Sequence, residues 1–408
     1  MKLKYLIFFF LVCVSSGMFA QKYAKMYDDA LQKKDLKKYT EAIHILSELI
    51  KGNKYYYDAY LSRGQCYEQI KQYDSALKDY NAAIQMNPDY SDALFQRSLL
   101  FHTIKNDPKK AITDIDKVLS LKPNYYDAFL LRAVIYETLQ KYQESISDYS
   151  KAIELKGDDW NSYFKRAMVY LKISKEDECL KDLNQSISIR NDFAAAYFER
   201  GKISQSRASY VDALSDFEKS TEAGMYTPDL ILRKADIQLE LKQYKHAIKN
   251  YTQLIKMNKQ PKAEWYSKRG LCYSFTGDSL LAQKDFSKAI SLDKNNYQIY
   301  VYRAQNYIKQ KRISYAMNDY KKAIDLNPKA WDIYINRGKL YMDMKKYNEA
   351  VDDFSLSIKL NPKSSDAYFF RGACKDALFD KEGACLDLKK AAALHHKEAV
   401  DKLDRYCR

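Results

Sequence analysis

The chain has 408 residues and a formal net charge of +15, from 68 basic and 53 acidic residues. It holds only 11 glycines and 7 prolines, which is too little turn chemistry for a β-sandwich, a β-barrel or collagen. Hydrophobic residues make up 46% of the chain, so a large core can form and global disorder is excluded. The positive charge leaves nucleic acid, an anionic lipid surface or an acidic protein open as partners.

The amino terminus has the order of a secretory signal peptide. Lys2 and Lys4 precede an apolar run, and small residues follow it. We predict a signal peptide over residues 1–20, export to the periplasm or cell envelope, and no transmembrane span in the mature chain. Cleavage after Gly17, a lipid anchor at Cys13, a retained N-terminal anchor and a cytosolic location are the alternatives.

Two series of small residues recur every 34 or 35 residues through the rest of the chain. Two small positions per unit are what a pair of antiparallel helices needs where their backbones approach most closely. Tyrosines fill positions between them at spacings of seven, which keeps each pair on one helical face. The first series is Ala30, Gly64, Ser98, Ala133, Ala167, Gly201, Ala235, Gly270, Ala304, Gly338 and Gly372. The second is Ala42, Ala76, Ala111, Ser145, Cys179, Ala213, Ala247, Ala282, Ala316, Ala350 and Ala384.

The unit that these series define resembles a tetratricopeptide repeat (TPR). One copy carries the pattern Tyr60, Arg63, Gly64, Tyr67, Tyr73, Ala76, Tyr80, Ala83 and Pro88. The resemblance implies an all-α, right-handed superhelical solenoid of about eleven helix-turn-helix units, with a concave groove lined by the first helix of each unit. The predicted array spans residues 21–398, and residues 396–408 resemble the capping helix of such arrays. The units are predicted to begin near residues 23, 57, 91, 126, 160, 194, 228, 263, 297, 331 and 365.

Nine units place an arginine before the small residue of the first helix and an aspartate at the matching point of the second helix. The two units that lack the arginine also lack the aspartate, so we predict an ion pair between the two helices of each of the nine units. A row of arginines that grips phosphate is the alternative. The predicted pairs are Arg63 with Asp79, Arg97 with Asp114, Arg132 with Asp148, Arg166 with Asp182, Arg200 with Asp216, Arg269 with Asp285, Arg303 with Asp319, Arg337 with Asp353, and Arg371 with Asp387.

The sequence predicts no catalytic site, no metal site and no cofactor. The five histidines lie in different units except for His395 and His396, which are adjacent and point in different directions on a helix. Glycine-rich phosphate loops, nucleophile elbows and paired-cysteine zinc patterns are absent from the sequence. We therefore predict that the protein is not an enzyme.

The groove is the predicted working surface. If the TPR geometry holds, the residue three before each small position and the residue just after it project toward the concave face. An apolar groove suits an extended segment or an amphipathic helix of a partner protein, although these side chains could instead only pack against neighbouring units. From the third to the seventh unit the candidates are Phe95, Leu99, His102, Leu130, Val134, Phe164, Met168, Leu171, Phe198, Lys202 and Leu232.

The predicted function is a noncatalytic scaffold that binds a protein or peptide partner in this groove. Electrostatic binding of a polyanion (nucleic acid, acidic polysaccharide or an anionic membrane surface) is the alternative, but no basic cluster with interleaved aromatic residues favours nucleic acid. A homo-oligomer is possible. We also predict a weak joint near residues 224–228, where the repeat spacing is interrupted.

The cysteines mostly occupy apolar positions of the repeat and are predicted to fill the core. Three lie near the carboxyl end: Cys374, Cys385 and Cys407. In an exported protein, a disulfide between two of these three would link the last unit to the capping helix, but the sequence does not decide which two.

Overall fold

The computed structural model describes residues 21–407. The predicted signal peptide, residues 1–20, and the final residue of the predicted capping segment, Arg408, lie outside the described residues. All regular secondary structure in the described part of the chain is helical. The prediction of an all-α chain with about eleven helix-turn-helix units is therefore confirmed.

The described helices fall in two compact units, one ending at Ile203 and the other beginning at Ser204. The first unit contains five complete repeats and most of the first helix of a sixth. Its helices are α1 (residues 21–35), α2 (Tyr39–Gly52), α3 (Tyr57–Gln69), α4 (Tyr73–Met86), α5 (Ser91–Thr103), α6 (Pro108–Leu121), α7 (Tyr126–Thr138), α8 (Tyr142–Leu155), α9 (Trp160–Lys172), α10 (Glu176–Ile189) and α11 (Ala194–Ser206), which carries the boundary.

The second unit contains the rest of the sixth repeat, five complete repeats and a final single helix. Its helices are α12 (Tyr210–Glu222), α13 (Pro228–Glu240), α14 (Tyr244–Met257), α15 (Ala263–Thr276), α16 (Ser279–Leu292), α17 (Tyr297–Lys309), α18 (Ile313–Leu326), α19 (Trp331–Asp343), α20 (Tyr347–Leu360), α21 (Ser365–Ala377), α22 (Lys381–Ala393) and α23 (Lys397–Tyr406). The boundary between the units precedes the joint predicted at residues 224–228, which stays a prediction.

The turn from the first to the second helix of a repeat needs one residue in the left-handed region. In repeat 2 this residue is Lys71, with φ of 61°, and the amide of Gln72 closes the turn by donating to the Tyr67 carbonyl over 2.8 Å. Glycine fills this position only at Gly277 of repeat 8. The described turns therefore explain the low glycine content, because lysine and other residues accept the left-handed conformation at some cost in strain.

The small positions make room for a large side chain of the second helix. A Cβ atom added at Gly64 would lie 2.6 Å from the Tyr80 ring, and one added at Gly338 would lie 2.8 Å from Phe354. Tyr80 and Phe354 are fully buried. Each repeat thus closes its own core where a small residue faces an aromatic or aliphatic one, and the first helices are held in a fixed position.

Candidate interaction groove

Eight arginine–aspartate ion pairs join the first and second helices of their repeats. In each, arginine Nε and Nη2 donate to the two carboxylate oxygens over 2.6–2.8 Å. The arginine side chains are 15–21% exposed and the aspartates 4–8%. The pairs join the residues that the sequence predicted, from Arg63 with Asp79 to Arg371 with Asp387. The ninth pair, Arg200 with Asp216, has one residue in each compact unit and stays a prediction.

Seven of these eight arginines, and also Arg200, donate to a side chain of the preceding repeat, a contact that the sequence did not predict. Nη1 of Arg166 donates to the Ser150 hydroxyl over 2.8 Å, and Nη1 of Arg63 donates to the Ser47 hydroxyl over 3.0 Å. Short polar residues recur at this position of the second helix with the period of the repeat, and that recurrence is the signal that would have found them. The others that accept from an arginine are Asn81, Asp116, Asn184, Thr252, Ser287 and Ser355.

Repeat 7 replaces the ion pair with a different polar network. Lys234 donates to the Thr221 hydroxyl over 3.2 Å, and burial lowers its pKa. Asp236 accepts from the Tyr251 hydroxyl over 2.6 Å and from the ammonium of Lys268 over 2.9 Å. Burial, followed by the Asp236 charge and this hydrogen bond, raises the pKa of Tyr251 well above its usual range. Repeat 7 is therefore held by these hydrogen bonds and by the Asp236–Lys268 ion pair, in place of the arginine–aspartate pair of the regular repeats.

First helices of successive repeats contact one another within each unit, as α3 does with α5 and α15 with α17. Within each unit the first helices form a layer, and each predicted groove residue lies on the layer of its own unit. All eleven are half-buried. Phe95 and Leu99 pack against the core between repeats 3 and 4, and Phe164 and Met168 against that between repeats 5 and 6. Each of these apolar side chains is therefore partly exposed on the groove surface and partly packed in the core.

Of the remaining predicted groove residues, Leu232 lies on the layer of the second unit and the others lie on that of the first. Leu130 and Val134 pack around buried Tyr149, Leu171 joins the Phe164 core, and Leu232 packs in repeat 7. Burial lowers the pKa of His102. Lys202 forms an ion pair with Glu199 at 2.8 Å, and its ammonium lies 5.5 Å from the centroid of the Phe198 ring.

A cavity of about 330 Å³ opens in the first-helix layer of the second unit, between α15, α17 and α19. It lies in repeats 8 to 10, beyond the stretch in which the sequence placed the groove residues. Leu271, Gln305 and Lys339 each follow the small residue of their helix, which is the repeat position that Leu99 and Val134 hold. The position just after the small residue, which predicts groove residues in repeats 3 to 7, therefore also gives three residues of this cavity in repeats 8 to 10. The lining is Leu271, Ser274, Phe275, Tyr302, Gln305, Ile308, Lys309, Tyr320, Asn336, Lys339, Leu340 and Asp343.

The cavity combines aromatic surface with amides and ammonium groups. The Gln305 amide donates to the Asn336 side-chain oxygen over 3.4 Å, and Asn336 donates to the Asp332 carbonyl over 2.9 Å. Lys309 donates to the carbonyl and hydroxyl of Ser274 over 2.9 and 3.1 Å, and burial lowers its pKa. A lining of this kind can bind an apolar side chain and hydrogen-bond a polypeptide backbone beside it.

A second, more polar cavity of about 430 Å³ lies in the first unit, between repeats 1 and 3. Its lining includes Gln65, which accepts a short hydrogen bond from Lys34, and also Glu68 and Gln96. Gln65 occupies the same repeat position as Gln305, which lines the cavity of the second unit. The side-chain amides of Gln65 and Gln305 therefore hold equivalent positions in two cavities, of which that around Gln65 is the more polar.

A disulfide joins Cys385 of α22 to Cys407, just after α23. Cys374, the third candidate for this bridge, is a buried free thiol, as are Cys66, Cys179 and Cys272. Burial raises the pKa of Cys374, of Cys179 and of Cys272 to about 12. These thiols are therefore protonated and unreactive at neutral pH.

No helix within residues 21–407 is long and apolar enough to cross a membrane. In the same residues, no group of three or more histidine, cysteine, aspartate or glutamate side chains could hold a metal ion.

Family models of the tetratricopeptide repeat match several stretches of the chain, and the chain thus contains tetratricopeptide repeats. The stretches are residues 57–90, 126–159, 228–261, 263–296, 304–345 and 331–364. No curated protein sequence matches the chain.

Among solved structures the chain is similar to YrrB, described as a TPR protein with an unusual peptide-binding site. The identity is 22% over 48% of this chain and 97% of YrrB, with a TM-score of 0.43. It is similar to PilF of Pseudomonas aeruginosa at 17% identity over 50% of this chain and 93% of PilF, with a TM-score of 0.44. Yeast Tom70 is 14% identical over 95% of this chain and 96% of its own, with a TM-score of 0.43.

Proposed function

We propose that this chain of tetratricopeptide repeats is a noncatalytic scaffold that binds a segment of a partner protein on its first-helix layer. The observation that carries the proposal is the cavity between α15, α17 and α19, with its amides and aromatic rings side by side. Its volume of about 330 Å³ suits one or two side chains of a bound segment, with the rest of the segment lying along the layer. The arginines and aspartates of the ion pairs are already engaged in holding their repeats together.

The partner segment would anchor an apolar side chain against Phe275 and Tyr302 and place its backbone beside Gln305 and Asn336. The Gln305–Asn336 contact of 3.4 Å is long, so little is lost when Gln305 turns to a ligand. Binding of this kind tolerates many sequences and selects mainly for the apolar anchor.

Gln305→Ala is the test, with Gln65→Ala as its matched control. We expect Gln305→Ala to weaken capture of the partner about tenfold, because it removes one amide contact and leaves a backbone group unpaired. Gln65→Ala, at the same repeat position in the first unit, should change it by less than about twofold. The measurement is titration of immobilised full chain with the partner that mass spectrometry identifies from a cell-envelope extract.

A third variant, Leu99→Ala, separates the two candidate surfaces. If Leu99→Ala weakens binding and Gln305→Ala does not, the partner lies on repeats 3 to 7 and the cavity in repeats 8 to 10 is not the site. If none of the three variants changes binding, the first-helix layer does not hold the partner. Melting of each variant, followed by circular dichroism, controls for loss of the fold.

The proposed scaffold acts in the cell envelope after export. Lys2, Lys4 and the apolar run that follows them support this location, as does the Cys385–Cys407 disulfide, since such bonds persist in oxidising compartments. We expect the protein recovered from its own cells to begin at Gln21, with residue 18 as the alternative start. Intact-mass measurement decides this, and a chain that keeps Met1 and lies in the cytosolic fraction contradicts it.

A further inference from the structure

The first turns of the second helices of repeats 8 and 9 carry large, exposed apolar side chains. Leu280 is the second residue of α16 and is 78% exposed, and Leu281 after it is 47% exposed. Tyr315, at the matching third position of α18, is 50% exposed. Repeats 1, 4, 5, 6 and 10 carry a carboxylate at that third position. Those residues are Glu41, Glu144, Glu178, Asp212 and Glu349.

Cationic groups lie beside these apolar side chains. The turn of repeat 9 carries Lys311 and Arg312 and no acidic residue. Within residues 21–407, neither of these two side chains lies within ion-pair distance of a carboxylate. The guanidinium of Arg312 lies 4.1 Å from the centroid of the Tyr315 ring, and its Nη1 donates to the Gln283 side-chain oxygen over 3.4 Å. Asp278 is the one acidic residue in the adjoining turn of repeat 8.

The two turns are held side by side. The amides of Asn306 and Gln310, both in repeat 9, donate to the Ser279 carbonyl at the start of α16 over 3.0 and 3.3 Å. The first turns of α16 and α18 therefore belong to one edge of the second unit. No side chain caps the backbone amides at the start of α18, so their partial positive charge adds to that of Lys311 and Arg312.

We propose that this edge (Leu280, Leu281 and Tyr315, with Lys311 and Arg312) docks on an anionic lipid bilayer. The apolar side chains stand at turns and not in a cleft, so a deformable plane can cover them all at once. Leucine side chains would enter the acyl boundary, and the tyrosine ring would lie at the headgroup level. The guanidinium and ammonium groups would bind lipid phosphates. A second copy of the chain fits less well, because a twofold pairing would bring the two cationic turns together.

Vesicle binding by the full chain tests the proposal. Vesicles of phosphatidylcholine with phosphatidylglycerol are compared with vesicles of phosphatidylcholine alone. We expect Leu280→Ser/Leu281→Ser to weaken partitioning to the anionic vesicles about tenfold, through loss of inserted apolar area. The matched control is Val211→Ser, at the position of Leu280 in repeat 6, where Val211 is 70% exposed but is followed by Asp212. Lys311→Glu should weaken binding more than Lys71→Glu, at the same turn position of repeat 2.

A site-specific probe separates this edge from the apolar run near the amino terminus. An environment-sensitive fluorophore on Leu280→Cys should shift to the blue with anionic vesicles, whereas the same fluorophore on Val211→Cys should not. Equal partitioning of the Leu280→Ser/Leu281→Ser and Val211→Ser variants would overturn the proposal. So would equal binding to uncharged vesicles, or a blue shift at residue 280 that follows protein concentration without vesicles, which would assign the edge to a second copy.

Discussion

Replacing Arg166 with alanine should lower the free energy of unfolding by about 3–5 kcal/mol, because it leaves Asp182 buried without its counter-charge. Asp182 is 8% exposed and accepts two hydrogen bonds from Arg166, over 2.7 and 2.8 Å. The pKa of Arg166 is raised, first by the hydrogen bond that it donates to Asp182 and against the effect of burial. The loss also reaches the preceding repeat, since Arg166 donates to Ser150 as well.

The double variant Arg166→Ala/Asp182→Ala should be less destabilised than the sum of the two single variants by about 1–3 kcal/mol. Urea unfolding of the full chain gives the free energies, and hydrogen exchange across α9 and α10 shows whether the loss is local. Lys117→Ala is the control, because its ion pair with Asp89 has the same kind of distance, 2.8 Å, but is exposed, and it should cost less than about 1 kcal/mol. Additive single variants would mean that the pair is not coupled.

The repeat made the helices and the ion pairs predictable from one sequence. Each repeat packs its two helices in the same way, so positions that must stay small, such as Gly64 and Gly338, recur at a fixed interval. Arginine and aspartate are present or absent together, and only a direct contact within the repeat explains that joint exchange. The polar acceptors of the preceding repeat recur in most repeats, but they vary between serine, threonine, asparagine and aspartate, as Ser150 and Asn81 illustrate.

The depth of the first-helix layer could not be read from the repeat pattern. Leu99 and Gln305 hold the same repeat position, yet Leu99 packs against a core while Gln305 lines a cavity. The difference depends on neighbours from two adjacent repeats, including Phe275, which stacks on Tyr244 at 4.7 Å between ring centroids. The repeat pattern predicts the contacts that all repeats share, whereas a binding cavity depends on side chains that differ between neighbouring repeats.

The partner of each terminal cysteine was also undecided in the sequence, since three cysteines fell in one region. The docking of the capping helix determines which cysteines pair. Helix α23 packs through Ala399 on Leu388 and Ala391, and the residue after its C-terminal end, Cys407, lies against Cys385 of α22. Cys374 faces the core between repeats 10 and 11 and stays free. The direction in which a helix docks is a tertiary property, and spacing alone does not contain it.

Cys407→Ser should free α23 and destabilise the end of the array by about 3 kcal/mol. The bridge closes a loop with a sequence separation of 22, and a loop of that length removes about 3 kcal/mol of chain entropy from the open state. The cap would then be held by apolar contacts, by the Lys402 ammonium 4.7 Å from the Phe369 ring centroid, and by His396, whose ring centroid lies 4.1 Å from that of Phe369 and whose Nδ1 accepts from the Ala399 amide. Amide exchange in α22 and α23 should rise about a hundredfold, since each 1.4 kcal/mol is a factor of ten.

Reductant and thiol counting complete this experiment. Reducing the wild-type chain should raise exchange in α22 and α23 as Cys407→Ser does, and reductant should have no further effect on that variant. Alkylation of the unfolded chain without reductant should leave Cys385 and Cys407 unmodified and label Cys374. Thiol exchange cannot move the bridge to Cys374 in the native state, because its buried thiol, with a pKa of about 12, is protonated. Equal exchange in the wild-type and Cys407→Ser chains would show that apolar packing alone holds the cap.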